Sequence, residues 1–420
     1  MKNIRLYILI ALSIPFFAAR AETDTRTRTM EPRFQTLKVM QEGDLMASPI
    51  IELGSDQHIS VNFDEIGEDY SDLQYRLIHC NSDWQPSRLM ESEYLDGFNE
   101  ADVEDYAFSS NTYIHYVNYQ ITIPNERMRP LVSGNYLLQV YERGEPDTVL
   151  LQARFQVTVQ SAMVAGRASG RTDQGINTEF QQLSLKIMAP REVQNPYQDL
   201  IITVIQDNKP ETERLLRRPL RVEGNTLTYE SMPELIYPAG NEFRRFETVR
   251  ADYPGMHVDS TRYYGPNYHA FLATDYSRAD REYIYDQTQR GRYVIDEYNS
   301  SDPNLGADYI TTHFTLDFPQ LMDGEIFVSG EFTGNLLEDR YRMRYNPERG
   351  VYELALPLKQ GSYNYEYVAR RTDGRGTPSP APTEGNYAET SNEYNVCVYL
   401  RTPTGRADRL IGTAKILSER

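Results

Sequence analysis

The sequence predicts an all-β protein built from tandem immunoglobulin-like β-sandwich domains. Period-two alternation of apolar and polar residues recurs along the chain, and helical periodicity is nearly absent. Thirty-two Tyr among 420 residues favour strands, because each ring offers an apolar body and a polar tip. Clusters of Gly, Pro, Asn and Asp break the alternating segments at short intervals, as turns between strands do. A chain of this length is expected to hold two to four domains.

The first domain is expected over 22–160. Ile59, Val61 and Phe63 share one face of a strand, and residues 73–80 (LQYRLIHC) read as another. The clearest segment is 113–123: Tyr113, Val117, Tyr119, Ile121 and Ile123 face one way, while Asn118, Gln120 and Thr122 face the other. That pattern predicts a half-buried strand. Residues 137–141 and 149–159 follow, separated by the turn RGEPD at 143–147. About seven strands in this span suggest an immunoglobulin-like sandwich.

A second β-sandwich is expected over 161–305, with strands at 182–187 and 200–206, a turn at 207–210, and aromatic segments at 243–249, 263–264 and 283–285. A third is expected over 306–420, opening with HFTLDF at 313–318 and continuing through 326–332, 351–356 and 361–368. Its strings EIFVSGEFTGN and LKQGSYNYEY resemble the sandwich modules that bind starch or glycogen, which stack sugar on exposed Trp. The single Trp of this chain, Trp84, lies in the first block. A Gly/Pro-rich loop spans 372–383, of a length usually functional or disordered. A weak repeat, Gly134-x-Tyr136, Gly291-x-Tyr293 and Gly361-x-Tyr363, opens a strand in each block, with the Gly set for a tight turn and the Tyr set to pack inward.

Residues 1–21 read as a secretory signal peptide: Lys2 and Arg5, an apolar run from Leu6 to Phe17, then Ala19-Arg20-Ala21. The run is too short for a membrane-spanning helix, and nothing later resembles one. Localisation in the periplasm is expected. The formal net charge is −18, and loss of Lys2, Arg5 and Arg20 takes it to about −21. A chain so acidic is repelled by nucleic acid and by anionic lipid, so neither nucleic-acid binding nor direct lipid insertion is expected. Its cations are mostly Arg, which with Tyr is enriched at protein interfaces. Cys80 and Cys397 sit in strand-like contexts at opposite ends of the chain and are expected to be buried free thiols.

Motifs for catalysis are missing from the sequence. The six His are at least twelve residues apart, with neither H-E-x-x-H nor His-x-His spacing. His79 and His115 fall on expected strands and read as structural. No Gly-x-Ser-x-Gly elbow and no phosphate-cradling Gly loop occurs. One stretch stands out, EYLDGFNEADVEDYAF at 93–108. It threads Tyr94, Phe98, Tyr106 and Phe108 between Glu93, Asp96, Glu100, Asp102, Glu104 and Asp105. Its acids do not alternate before the Gly as in an EF-hand loop. Two of them would suffice for glycosidase chemistry, a signal too unspecific to assign.

The strings LIHCNSDWQP (77–86), EYLDGFNEAD (93–102), EDYAFS (104–109), PNERMRP (124–130) and SGNY (133–136) carry a more specific likeness, as do YPAGNEFRRF (237–246), DQTQRG (286–291) and EGNY (384–387). Together they resemble the plug protein family of the type IX secretion system. The resemblance implies a non-enzymatic, cofactor-free, periplasmic β-sandwich protein, here expected as a monomer. Its implied partner is the outer-membrane translocon barrel of that system, whose periplasmic mouth it would seal when cargo is not engaged. Carbohydrate binding or glycan processing, and assistance to outer-membrane protein assembly, are the alternative readings. The acidic-aromatic stretch is then expected to meet the partner, with aromatic anchors and acids that steer docking. The expected contact residues are Trp84, Tyr94, Asp96, Phe98, Glu100, Asp102, Glu104, Asp105 and Tyr106. The competing expectation is that the same aromatics fold the loop over its own sandwich.

Overall fold

Alternation sets the strands of the computed structural model, which describes residues 24–419. The expected signal peptide at 1–21 lies outside the described residues. Almost every regular element among them is a strand, and the α-helical turns are four residues each, at Glu91–Tyr94, Pro196–Asp199, Pro303–Gly306 and Ala381–Glu384.

In the first sandwich, Gly134–Glu142 pairs with both Val149–Thr158 and Leu73–Cys80 in one sheet. Ile59–Ile66 pairs with Phe34–Gln41 and Tyr116–Ile123 in the other. Val117, Tyr119, Ile121 and Ile123 enter the core beside Ile59, Val61 and Phe63, as alternation predicts, whereas Tyr113 lies before the strand and is exposed. The opposite face, expected to meet water, does so only in part: Gln120 and Thr122 are half-buried, and Asn118 is covered. Asn118 and Asn62 are buried and exchange hydrogen bonds of 3.0 and 3.1 Å between their side-chain amides. A further sandwich covers this part of the face, and paired amides satisfy polar groups that burial would otherwise strand.

The second and third cores do not follow the expected contiguous division at 305/306. Leu200–Gln206 pairs with Glu393–Leu400, Ile202 opposite Val398, and Glu393–Leu400 pairs in turn with Arg409–Leu417. These strands face a sheet formed by Met163–Ser169, Phe180–Met188 and Thr226–Tyr229, and one core joins both layers. Between Pro238 and Glu393 the chain builds another sandwich. Arg244–Glu247 and Tyr293–Ile295 pair with Gly361–Arg371, and Val258–Tyr264, Asn267–Leu272, Tyr309–Asp317 and Val351–Lys359 form the facing sheet. The aromatic segments at 243–249 and 263–264 therefore belong with strands beyond 305, and residues 283–285 form no strand. Local alternation shows that a strand exists but not which distant strand accepts its hydrogen bonds.

The three Gly-x-Tyr openings behave alike: Tyr136, Tyr293 and Tyr363 are all buried. Tyr293 and Tyr363 lie opposite each other across the sheet, with rings stacked at 5.4 Å. A Cβ on Gly134, at φ +151°, would sit 2.3 Å from His79 Nε2, so only Gly fits there. His79 is itself buried, and burial lowers its pKa, so it is a neutral core residue. Cys80 and Cys397 are free, buried thiols whose pKa values burial raises to about 12 and about 11.

Buried polar staples join the sandwiches pairwise. Lys359 Nζ donates to Asp64 Oδ2 at 2.7 Å between the third and first, where both side chains are essentially inaccessible. Ser82 Oγ donates to the buried Asp408 at 2.7 Å between the first and second. Between the second and third, Lys209 pairs with Glu366 at 2.8 Å and Arg292 with Glu393 at 2.5 Å. The 372–383 loop ends in a buried network within the third sandwich, since Glu384 is buried and accepts from Arg244 and Arg278.

Asp207 lies in the second–third junction, accepts from the Glu393 backbone N–H at 2.9 Å, and has its pKa raised by burial to about 7. Because the folded value lies above the ordinary 3.8, the proton on Asp207 stabilises the fold fully below about pH 4, and that contribution is lost as pH rises toward 7. Relative to Asp207→Asn, wild-type stability is expected to fall between pH 4 and 7 by up to about 1.4 kcal/mol per pH unit, the limit for one proton. The difference should level off above pH 7. Urea midpoints at pH 5, 6, 7 and 8 measure it, and parallel curves for the two proteins would contradict the assignment.

Candidate interaction surface

The acidic-aromatic stretch pairs with three different strands in fourteen residues. Leu95–Gly97 pairs with Met128–Pro130, Ala101–Asp102 with Gln74–Tyr75, and Asp105–Phe108 with Tyr116–Ile123. The segment thus climbs the side of the first sandwich from the edge of one sheet to the edge of the other. Asp105–Phe108 is the outermost strand of its sheet, and its second hydrogen-bonding edge is unpaired among the described residues.

This path disperses the nine expected contact residues. Tyr94 is a core residue whose hydroxyl donates to the Leu77 carbonyl at 3.1 Å. Trp84 is remote from the stretch, held at φ +61° with the Arg154 guanidinium 4.3 Å above its ring. It borders a cavity of about 250 Å³ where the three sandwiches meet, with Gln156, Glu331 and Tyr399 among the lining residues. Asp102 accepts from Gln74 at 2.9 Å and pairs with Arg143 at 2.9 Å, and these contacts hold its carboxyl below the usual range. Glu104 pairs with Arg127 at 2.5 Å. Glu93 accepts from the Met90 backbone N–H and binds Arg406 of the second sandwich. These carboxylates have partners within the chain, so they contribute less to any external field.

The remaining residues do form a surface. Phe98 is 87% exposed, an unusual position for so large an apolar ring. Asp96, Glu100 and Asp105 are exposed and have no ion-pair partner among the described residues. Tyr106 and Phe108 lie on the inner face of the sheet but at its open edge, where both rings stay partly exposed. Tyr106 packs between buried Tyr119, at 5.8 Å, and exposed Tyr70, at 4.9 Å. Tyr70 escaped sequence reasoning because its context, GEDYSD at 67–72, reads as a turn. The signal was the same mixture of acids and an aromatic as in 93–108.

A sequence profile described as the Type 9 secretion system plug protein 1st domain matches residues 34–159, the span of this first sandwich and its edge. The chain belongs to the type 9 secretion system plug protein family. It has a role related to type IX secretion. This plug-family chain is also similar to a hypothetical protein from Parabacteroides merdae ATCC 43184, known from a crystal structure. The two are 38% identical with a TM-score of 0.92, over 94% of this chain and 100% of that one. An enterococcal surface protein N-terminal region gives 7% identity and a TM-score of 0.18, over 94% of each chain. Dimeric latent PorU from Porphyromonas gingivalis gives 9% and 0.13, over 92% of this chain and 34% of that one. Scores that low carry no argument. No curated protein matches the chain. Among the described residues, no helix of the plug-family chain is long and apolar enough to cross a membrane.

Proposed function

We propose that this chain is a non-enzymatic periplasmic plug. It seats as one folded body against the periplasmic mouth of the outer-membrane translocon barrel of the type IX system and seals the pore when cargo is not engaged. The family match over residues 34–159 carries this reading. The stapled junctions support it physically, because a plug that must resist being pushed through a pore needs sandwiches that do not hinge. Buried ion pairs such as Asp64–Lys359 and Lys209–Glu366 oppose hinging, since separating them exposes unpaired charge to a partly closed, poorly solvated interface.

The docking surface proposed is the side of the first sandwich bearing Phe98, Asp105, Tyr106 and Phe108. An open strand edge can accept another strand, and exposed aromatics supply anchors. The acids beside them steer the approach toward a basic rim. The test is recovery of the barrel from detergent-solubilised envelopes of the native host on a tagged copy of the chain. The Phe98→Ser/Asp105→Lys variant should recover roughly tenfold less barrel or worse, as loss of an anchor predicts, at unchanged stability because both side chains are exposed. Undiminished recovery by the variant would remove this surface from the proposal. Failure of the wild type to recover any barrel would remove the plug reading itself.

A further inference from the structure

The third sandwich carries a side-chain pair that the plug reading does not use. Asn267–Leu272 and Tyr309–Asp317 run parallel, with His269 beside Thr311 and Phe271 beside His313. This register brings the two histidines together on the outward face, with His269 Nδ1 2.9 Å from His313 Nε2. Phe271 stacks on His313 at 4.3 Å and 11°, and Tyr264 stands edge-on to His269 at 5.2 Å. The rings are therefore held by packing rather than free to rotate.

We propose that His269 and His313 form a bis-imidazole site for a late first-row divalent cation, with Cu²⁺ preferred. Two ring nitrogens this close share a single proton or, once that proton has moved away, both present lone pairs to one metal ion. In the metal-bound form, the ring that donated its N–H holds that proton on its other nitrogen, so both rings stay neutral and no proton need be released. Geometry selects among metals. With metal–nitrogen bonds of about 2.0–2.1 Å, two cis ligands at a right angle lie about 2.9 Å apart, and two ligands of a tetrahedron about 3.4 Å apart. The observed 2.9 Å matches the right angle, the preference of Cu²⁺ and Ni²⁺ in tetragonal nitrogen sites. No third His, Cys or carboxylate completes a ready ligand set among the described residues, so water fills the remaining positions.

The test is titration of the untagged chain with Cu²⁺, Ni²⁺ and Zn²⁺ by calorimetry, with electron paramagnetic resonance of the Cu²⁺ form. One equivalent of Cu²⁺ should bind most tightly, and the spectrum should show coupling to two imidazole nitrogens. His269→Gln and His313→Gln should each weaken Cu²⁺ binding by at least about tenfold, the lower bound even for losing an outer-shell partner. The double variant should be little worse than either single one, and His58→Gln/His115→Gln should change nothing. Equal affinity in wild type and both single variants would overturn the proposal, as would coupling to one nitrogen in the wild type. The wild-type spectrum decides the matter even where a variant fails to fold.

Discussion

Arg244→Met is expected to destabilise the third sandwich by about 3–5 kcal/mol, the cost of removing one partner from a buried ion pair. Arg244 is nearly inaccessible and sits between two carboxylates, donating to Asp275 at 2.6 Å and to Glu384 at 3.0 Å. Asp275 also accepts from the Tyr365 and Tyr367 hydroxyls at 2.7 Å each and contacts His257 at 3.1 Å. Burial alone would raise the Asp275 pKa. The His257 hydrogen bond and the Arg244 charge more than offset it and hold the group at about 2. That depressed value contributes stability above the ordinary 3.8 and loses it as pH falls toward 2. Without Arg244, Asp275 protonates more readily, so the penalty should be smaller at pH 4 than at pH 8. Urea unfolding of both proteins at the two pH values measures this, and an equal penalty at both would show that Asp275 does not depend on Arg244.

Lys359→Met should cost a comparable 3–5 kcal/mol or so, but at the junction between sandwiches rather than inside one. Lys359 donates to Asp64 and to the Asn304 carbonyl at 2.7 Å each, and lies 4.0 Å from the Tyr116 ring centre. Its loss leaves Asp64 buried with only the Tyr309 hydroxyl at 2.6 Å and the Asn118 amide at 2.7 Å. The first sandwich should then unfold in a separate, earlier transition. Adding Asp64→Asn removes the stranded charge, so the double variant should be more stable than Lys359→Met alone. Simple additivity of the two losses would mean that the pair is not coupled. The same single variant also tests the proposed function, because a plug of that kind whose first sandwich can swing should seal a pore less well.

Much of the fold was legible in the chain because period two is a local signal. Val117, Tyr119, Ile121 and Ile123 announce their inward face without help from elsewhere, and the three Gly-x-Tyr openings announce buried Tyr. The candidate surface was less legible. Tyr94 and Phe98 are four residues apart in one acidic stretch, yet one is core and the other is 87% exposed. Alternation cannot separate them, because the stretch pairs with three strands in succession and resets its faces each time. Trp84 was grouped with the stretch because it is close in sequence, but its environment comes from Arg154, seventy residues away.

The sequence by itself determined that this is an all-β chain, strongly acidic, with two thiols that do not pair, and that its first block carries the family's strings. The tertiary structure decided how the sheets close. Leu200–Gln206 finds its partner nearly two hundred residues later in Glu393–Leu400, so one sandwich is interrupted by another. It also decided that Asp64, Lys209, Lys359 and Glu384 are buried, paired charges rather than a solvated surface. The physical reason is the same in both cases. Strand propensity and amphipathicity are properties of neighbouring residues, whereas sheet partners and charge pairs are chosen by residues that only the folded chain brings together.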